Sequence, residues 1–315
     1  MVERWLAISG PVAETADTAA AYGNFGLVYR TRCDLDRAEE MFKKAITIAE
    51  KPGYQEIIAA AHSSLGIIDQ TRGELDRAEE MHKKALALHE KLGHQEGMAG
   101  DYGNLGNIYE TRGDLDQAEK MHKNALALHE KLGYQERMAI TYGNLGLIYR
   151  KRGNLNEAEK MVKKALTIDE KLSRQQGMAI QYVNLGDIYQ IRGEIDRGEE
   201  MYHKALTIYE KLGLQEGMAI TYGNLGGIYR KRGDLDQAEK MVKKALAIDE
   251  KLGRLEGMAN HYSNLGRLYQ TRGELDPAEE MYHKTLALFK VVGAAPQIKQ
   301  TETLLDSVNK SRAEG

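Results

Sequence analysis

One short element, Tyr-Gly-Asn-Leu-Gly-x-Ile-Tyr, returns every forty residues along this chain with no insertion or deletion between copies. It is clearest between Tyr142 and Gly153, and its second glycine falls at Gly26, Gly66, Gly106, Gly146, Gly186, Gly226 and Gly266, seven copies in all. No other feature constrains the fold as tightly. A fixed period of this length means stacked supersecondary units, each burying its apolar face against its neighbours. It also bears on function: an enzyme needs one cluster of unlike groups, whereas an array offers a long surface. The informative positions are therefore those where the copies differ.

Within one copy, Met138, Ala139, Tyr142, Leu145, Gly146, Ile148 and Tyr149 recur three or four apart, which predicts a helix over Gln135–Lys151. Glu136 suits the positive end of that helix and Gly153 supplies a left-handed stop after it. A second helix follows, carrying Met161, Ala165 and Ile168 on its apolar side. Its start is read from Asp36-Arg37-Ala38-Glu39 and Asp236-Gln237-Ala238-Glu239, with Asp36 and Asp236 as N-caps and Glu three later as the capping-box partner. Glu159 precedes Lys163 by four, and the same order recurs at Glu39–Lys43, Glu79–Lys83, Glu119–Lys123 and Glu239–Lys243. Gly133, Gly213 and Gly253 end the second helices. The unit reads helix, turn, helix, turn.

Tyr142, Leu145, Gly146, Tyr149, Gly153, Ala158 and Ala165 together resemble the tetratricopeptide repeat pattern, and nearly every copy carries them. The usual proline after the second helix is missing and the period is forty, which is similar to the long-repeat branch found in kinesin light chains and cell-polarity adaptors. The resemblance implies an all-α fold, a right-handed superhelical solenoid of antiparallel helix pairs. Seven units are expected at 12–51, 52–91, 92–131, 132–171, 172–211, 212–251 and 252–291. Residues 1–11 read as the second helix of an incomplete repeat, since Met1, Leu6 and Ile8 keep register with Met81, Leu86 and Leu88. Residues 292–315 read as a capping helix and tail, because Val292, Gly293, Ile298, Leu305 and Val308 keep register with Leu252, Gly253, Met258, Leu265 and Leu268.

Composition removes several function classes. The net charge of −3 gives no general attraction to nucleic acid or to an anionic membrane. No apolar run approaches the ~18 residues of a membrane span, and the first ten residues make a poor signal peptide. The single Cys33 excludes an intrachain disulfide and fits a reducing, cytoplasmic setting. His82, His89, His122 and His129 lack metal-site spacing and read as surface or partly buried structural residues. Ser63 and Ser64 near His62 and Asp69 imitate a triad that local helix geometry does not assemble. The chain reads as no enzyme, with no cofactor and no metal.

The resemblance implies that first helices line a binding groove, and a helical wheel puts Ile140, Asn144, Leu147 and Lys151 opposite the core side, with Gly143 and Arg150 flanking. Asparagine holds the groove register at Asn24, Asn104, Asn144, Asn184, Asn224 and Asn264. Its amide offers donors and an acceptor to a peptide backbone; hydrogen bonding within the stack is the competing reading. Gly23, Gly103, Gly143 and Gly223 either admit a ligand backbone or serve tight packing. Arg30, Arg150, Lys151, Arg230, Lys231 and Arg267 outnumber Glu110 and Asp187, and they lie beside Ile140, Ile180 and Ile220. That lining suits an acidic peptide with hydrophobic anchors, against a merely solvated face. Arg112, Arg152, Arg192, Arg232 and Arg272 are expected in structural ion pairs. The expected function is a protein-interaction scaffold for a partner peptide or segment. A regulatory or sensor module of a larger protein, and an array that assembles end to end, are the alternatives.

Overall fold

Alanine and glycine at fixed registers let helices approach closely, and the fold is built on that approach. The computed structural model describes residues 15–50 and 54–314; the expected partial helix at residues 1–11 lies outside them. Fifteen α-helices and no strand occur among the described residues, and no described helix is long and apolar enough to cross a membrane. The chain divides into two compact bodies, Met1–Asn154 and Leu155–Gly315.

The first body holds α1 (Ala16–Thr31), α2 (Leu35–Ala49), α3 (Gln55–Thr71), α4 (Leu75–Leu92), α5 (Gln95–Arg112), α6 (Leu115–Leu132) and α7 (Gln135–Lys151). The second holds α8 (Leu155–Lys171), α9 (Gln175–Arg192), α10 (Ile195–Leu212), α11 (Gln215–Arg232), α12 (Leu235–Leu252), α13 (Leu255–Arg272), α14 (Leu275–Val292) and α15 (Ala295–Glu314). In each body a first helix pairs with the second helix that follows it, and that second helix packs on the next first helix. The all-α expectation of antiparallel helix pairs holds.

Ala59, Ala78, Ala85 and Ala99 in the first body, and Ala219, Ala238, Ala245 and Ala259 in the second, are almost wholly buried where these helices cross. The repeating glycine serves the same contact. A methyl group at Gly66 would lie 2.6 Å from Nε2 of His82, and at Gly186 2.5 Å from the Tyr202 ring. The second helix thus lays a large side chain on the bare backbone of the first.

Turns follow from glycine at positive φ, as at Gly113 (φ 80°), where the amide of Asp114 closes back onto the carbonyl of Tyr109 at 2.9 Å. Cys33 (φ 60°) and Ser173 (φ 54°) occupy the same left-handed conformation without being glycine. The N-cap expectation is corrected. Asp34, Asp114 and Asp234 cap the second helices by accepting from the amides of Arg37, Gln117 and Gln237. Asp36 and Asp236 stand two residues later, inside the first turn, where each meets an arginine of the following repeat.

Those arginines form the main polar tie between repeats. Arg112 binds Asp76 and Glu79, Arg152 binds Asp116 and Glu119, and Arg272 binds Asp236 and Glu239. Arg192 binds Glu159, and Arg232 binds Asp196 and Glu199. Each glutamate also accepts from a tyrosine thirty residues on, as Glu79 does from Tyr109 at 2.7 Å and Glu159 from Tyr189 at 2.8 Å. The expected Glu-to-Lys pairs close the same knot, Lys83 on Glu79 and Lys243 on Glu239 among them. Hydrogen bonds from Lys43 and Lys243 first, then from Arg72 and Arg272, hold Glu39 and Glu239 down at about 2. At Glu79 and Glu159 burial pushes upward but is outweighed by the same kind of bonds, and both also sit at about 2. The last helix, α15, repeats the arrangement with Arg312 on Asp276 and Glu279, and it buries Val308 against Tyr282.

Candidate functional site

The first helices carry the differences between copies, and three cavities open along them. In the first body, Gly23, Asn24 and Leu27 of α1 face Ile57 and Ala60 of α3 across an apolar cavity of about 250 Å³. A second cavity of about 420 Å³ is lined by Asn104 and Asn107 of α5 and by Ile140 and Asn144 of α7. In the second body a cavity of about 610 Å³ brings together Ile220, Asn224, Arg230 and Lys231 of α11 with Asn264 and Arg267 of α13.

The remaining sequence-selected residues lie elsewhere. Asn184 of α9 is buried, its amide directed to Oε1 of Gln181 at 3.3 Å, and Ile180 of the same helix is exposed. Leu147 and Arg150 of α7 are half-buried, and Lys151 reaches back to Glu110 at 2.8 Å. Ile140, Ile180 and Ile220 are each more than 40% exposed, an unusual state for three isoleucines in one register. Two amides of the asparagine series reach between repeats: Asn144 donates to Asn107 Oδ1 at 3.4 Å and Asn224 to Asp187 Oδ1 at 3.2 Å. Lys231 donates to the carbonyl of Gln190 at 3.2 Å.

The mid-helix glycines divide. At Gly23 and Gly103 a methyl group would meet nothing within 4 Å, whereas at Gly223 it would lie 2.8 Å from the His261 ring. The first two leave open space beside a cavity; Gly223 is needed by its neighbour.

The histidines require correction. His82, His89, His122 and His129 are buried, at 8% exposure or less. Nδ1 of His82 and Nδ1 of His89 lie 3.1 and 2.8 Å from the two carboxylate oxygens of Asp101, and Ser63 Oγ donates to the same group at 2.8 Å. Ser63 therefore meets an aspartate that also holds two histidines, but that aspartate is Asp101 and those histidines are His82 and His89, not Asp69 and His62. Burial alone would raise Asp101; the bonds from His82, His89 and Ser63 outweigh it and hold the carboxyl below its usual range. Ser63 donates to the carboxylate instead of to a ring nitrogen, so the cluster lacks the bond that activates a nucleophile.

Sequence reasoning missed this cluster, yet a signal existed. The residue at register 101 faces the residue twelve earlier, and both change together: His89 with Asp101, His129 with Thr141 at 3.3 Å, Asp169 with Gln181 at 3.5 Å and Asp249 with His261 at 3.1 Å. Buried polar groups need partners, so reading these two registers side by side across copies would have paired them.

A family model described as tetratricopeptide repeat matches residues 17–91, 56–125, 97–171, 178–251 and 217–290. Among solved structures, BtubC (BKLC) from P. vanneervenii is 25% identical over 71% of this chain and 92% of that chain, with a TM-score of 0.58. A tetratricopeptide repeat protein from Parabacteroides merdae is 21% identical, covering 90% of this chain and 98% of that one at a TM-score of 0.65. The quorum sensor NprR from B. thuringiensis, in its apo form, is 15% identical over 98% and 92% of the two chains, with a TM-score of 0.69. The last two show a shared fold alone. No curated protein sequence matches the chain.

Proposed function

We propose that this chain, which belongs to the tetratricopeptide repeat family, holds an extended segment of a partner protein against its first helices. The observation that carries this reading is the cavity of the second body. Apolar Ile220, the amides of Asn224 and Asn264, and the cations Arg230, Lys231 and Arg267 line one space there. An exposed isoleucine suits a hydrophobic anchor, the amides suit a peptide backbone, and the cations suit acidic side chains. The partner segment in this reading is acidic with a few apolar residues, and the chain binds it without transforming it. A cytoplasmic setting completes the proposal and rests only on the free, exposed Cys33.

Selection of linear peptides from a random display library against the full chain tests it. Enriched sequences are expected to be acidic. Changing Arg150, Lys151, Arg230 and Lys231 together to glutamate is expected to weaken those peptides at low salt, because exposed charges act through association rate and are screened by salt. Helicity by circular dichroism should not change. Affinity that survives the fourfold reversal at low salt would reject the acidic partner.

A further inference from the structure

Four cationic side chains line the cavity of the second body, and they are not equally committed. Arg254 bonds to Asp249 and to Glu216, each at 2.8 Å. Lys231 is held by the carbonyl of Gln190. Arg230 and Arg267 have no carboxylate partner among the described residues.

These two arginines stand thirty-seven residues apart, on neighbouring first helices. The same pair of registers is occupied one repeat later by Gln270 and Ser307, whose side chains touch at 2.7 Å. One repeat earlier it is occupied by Gln190 and Gly227, where a methyl on the glycine would sit 3.1 Å from the Gln190 amide. Registers that meet in the flanking copies thus bring Arg230 and Arg267 to facing positions on one cavity. Tyr282 reports both: burial pushes its hydroxyl up, and the charges of Arg267 and Arg230 work against that rise.

Two adjacent cations repel unless an anion lies between them. The cavity itself, about 610 Å³, leaves room for one. Asn264 and Ser263 add donors beside it, while the acidic Glu256 stands at the exposed rim and Asp249 is already taken by Arg254. A single carboxylate would neutralise one arginine and leave the other uncompensated. A group carrying two negative charges matches both, and each guanidinium offers a planar fork to paired oxygens.

We infer that this cavity is a subsite for a dianionic group, a phosphomonoester or two adjacent carboxylates, read jointly by Arg230 and Arg267. It deepens the binding function proposed above and rests on it for the carrier, a peptide segment.

The first probe is inorganic phosphate, titrated into the full chain at about pH 7.5, where it is largely dianionic, with acetate as the monoanion. Arginine Nε–Hε resonances are followed by NMR and assigned with R230Q and R267Q. Phosphate should move these two resonances and bind about tenfold more tightly than acetate, and the double variant should lose the response while keeping its helicity. Capped hexapeptides bearing phosphoserine or a Glu-Glu pair, each against a single-Glu control, identify the carrier: either one binding better than its control supports the subsite. Phosphate and acetate acting alike, or a phosphate response that survives R230Q/R267Q, overturns it. The two readings fail separately. Library peptides that bind while phosphate does not would sink the subsite alone, and phosphate binding with no peptide enriched would sink the partner segment alone.

Discussion

Asp101 shows how single residues set both the stability and the pH response of this stack. A buried carboxylate is tolerated because His82, His89 and Ser63 direct three polar contacts at it. His122, in the register of His82 one repeat on, faces no such acceptor, and burial drives it down to about 4 while nearby Glu110 opposes weakly. The sign follows. In the unfolded chain His122 takes up a proton near 6.5, and in the folded chain only near 4. The stability it contributes is therefore complete above about 6.5 and is lost as pH falls toward 4. Glu39, Glu79, Glu159 and Glu239, held at about 2 against an ordinary 4.5, add stability present above 4.5 and lost as pH falls toward 2. Urea midpoints measured across this range should fall in both windows. His122→Val copies Val162 and Val242, which hold the same register, and should shrink the fall between 6.5 and 4 without touching the lower one. A variant whose upper window matches the parent would refute the assignment to His122.

At the scale of the helix, the turns decide where each element stops. Ser173 ends α8 in the left-handed region, where its counterparts are Gly133, Gly213 and Gly253. A side chain there costs about 1–2 kcal/mol relative to glycine, so Ser173→Gly should raise stability by about 1 kcal/mol, read from a denaturant midpoint at constant slope. No gain would mean that the serine side chain compensates the strain. Most of this level was legible in the sequence. The three-to-four spacing of Met138 through Tyr149 located α7, the glycines located the stops, and Arg112 and its equivalents were placed in ion pairs that the structure contains. The N-caps were misplaced because Asp34 and Asp36 are both plausible caps, and the second has a glutamate at capping-box distance. Asp36 instead meets Arg72, a partner thirty-six residues away that local spacing does not reveal. The buried pairs were missed for the same reason: His89 and Asp101 sit on two helices, and each looks like an ordinary polar residue on its own.

Across the molecule, the first helices carry two jobs, one structural and one proposed. The Arg–Glu–Tyr knots hold repeats together within each body, the repeating glycine holds the two helices of a repeat together, and the open registers beside the cavities are the ones proposed to meet a partner. Asparagine is where these jobs meet, since Asn224 bonds to Asp187 and also lines a cavity, while Asn104 and Asn264 line cavities and their side-chain amides make no bond to the neighbouring repeat among the described residues. The most direct test is the triple variant Asn104→Ala, Asn224→Ala, Asn264→Ala, measured for thermal stability without ligand and for affinity toward peptides selected on the parent chain. Alanine is the better helix former by a few tenths of a kcal/mol per site, which offsets the loss of the Asn224 bond, so the melting temperature should stay near that of the parent. Affinity should fall, because each bound amide deprived of its partner costs about 1–3 kcal/mol. A lowered melting temperature with affinity retained would contradict the account and make the asparagines part of the scaffold.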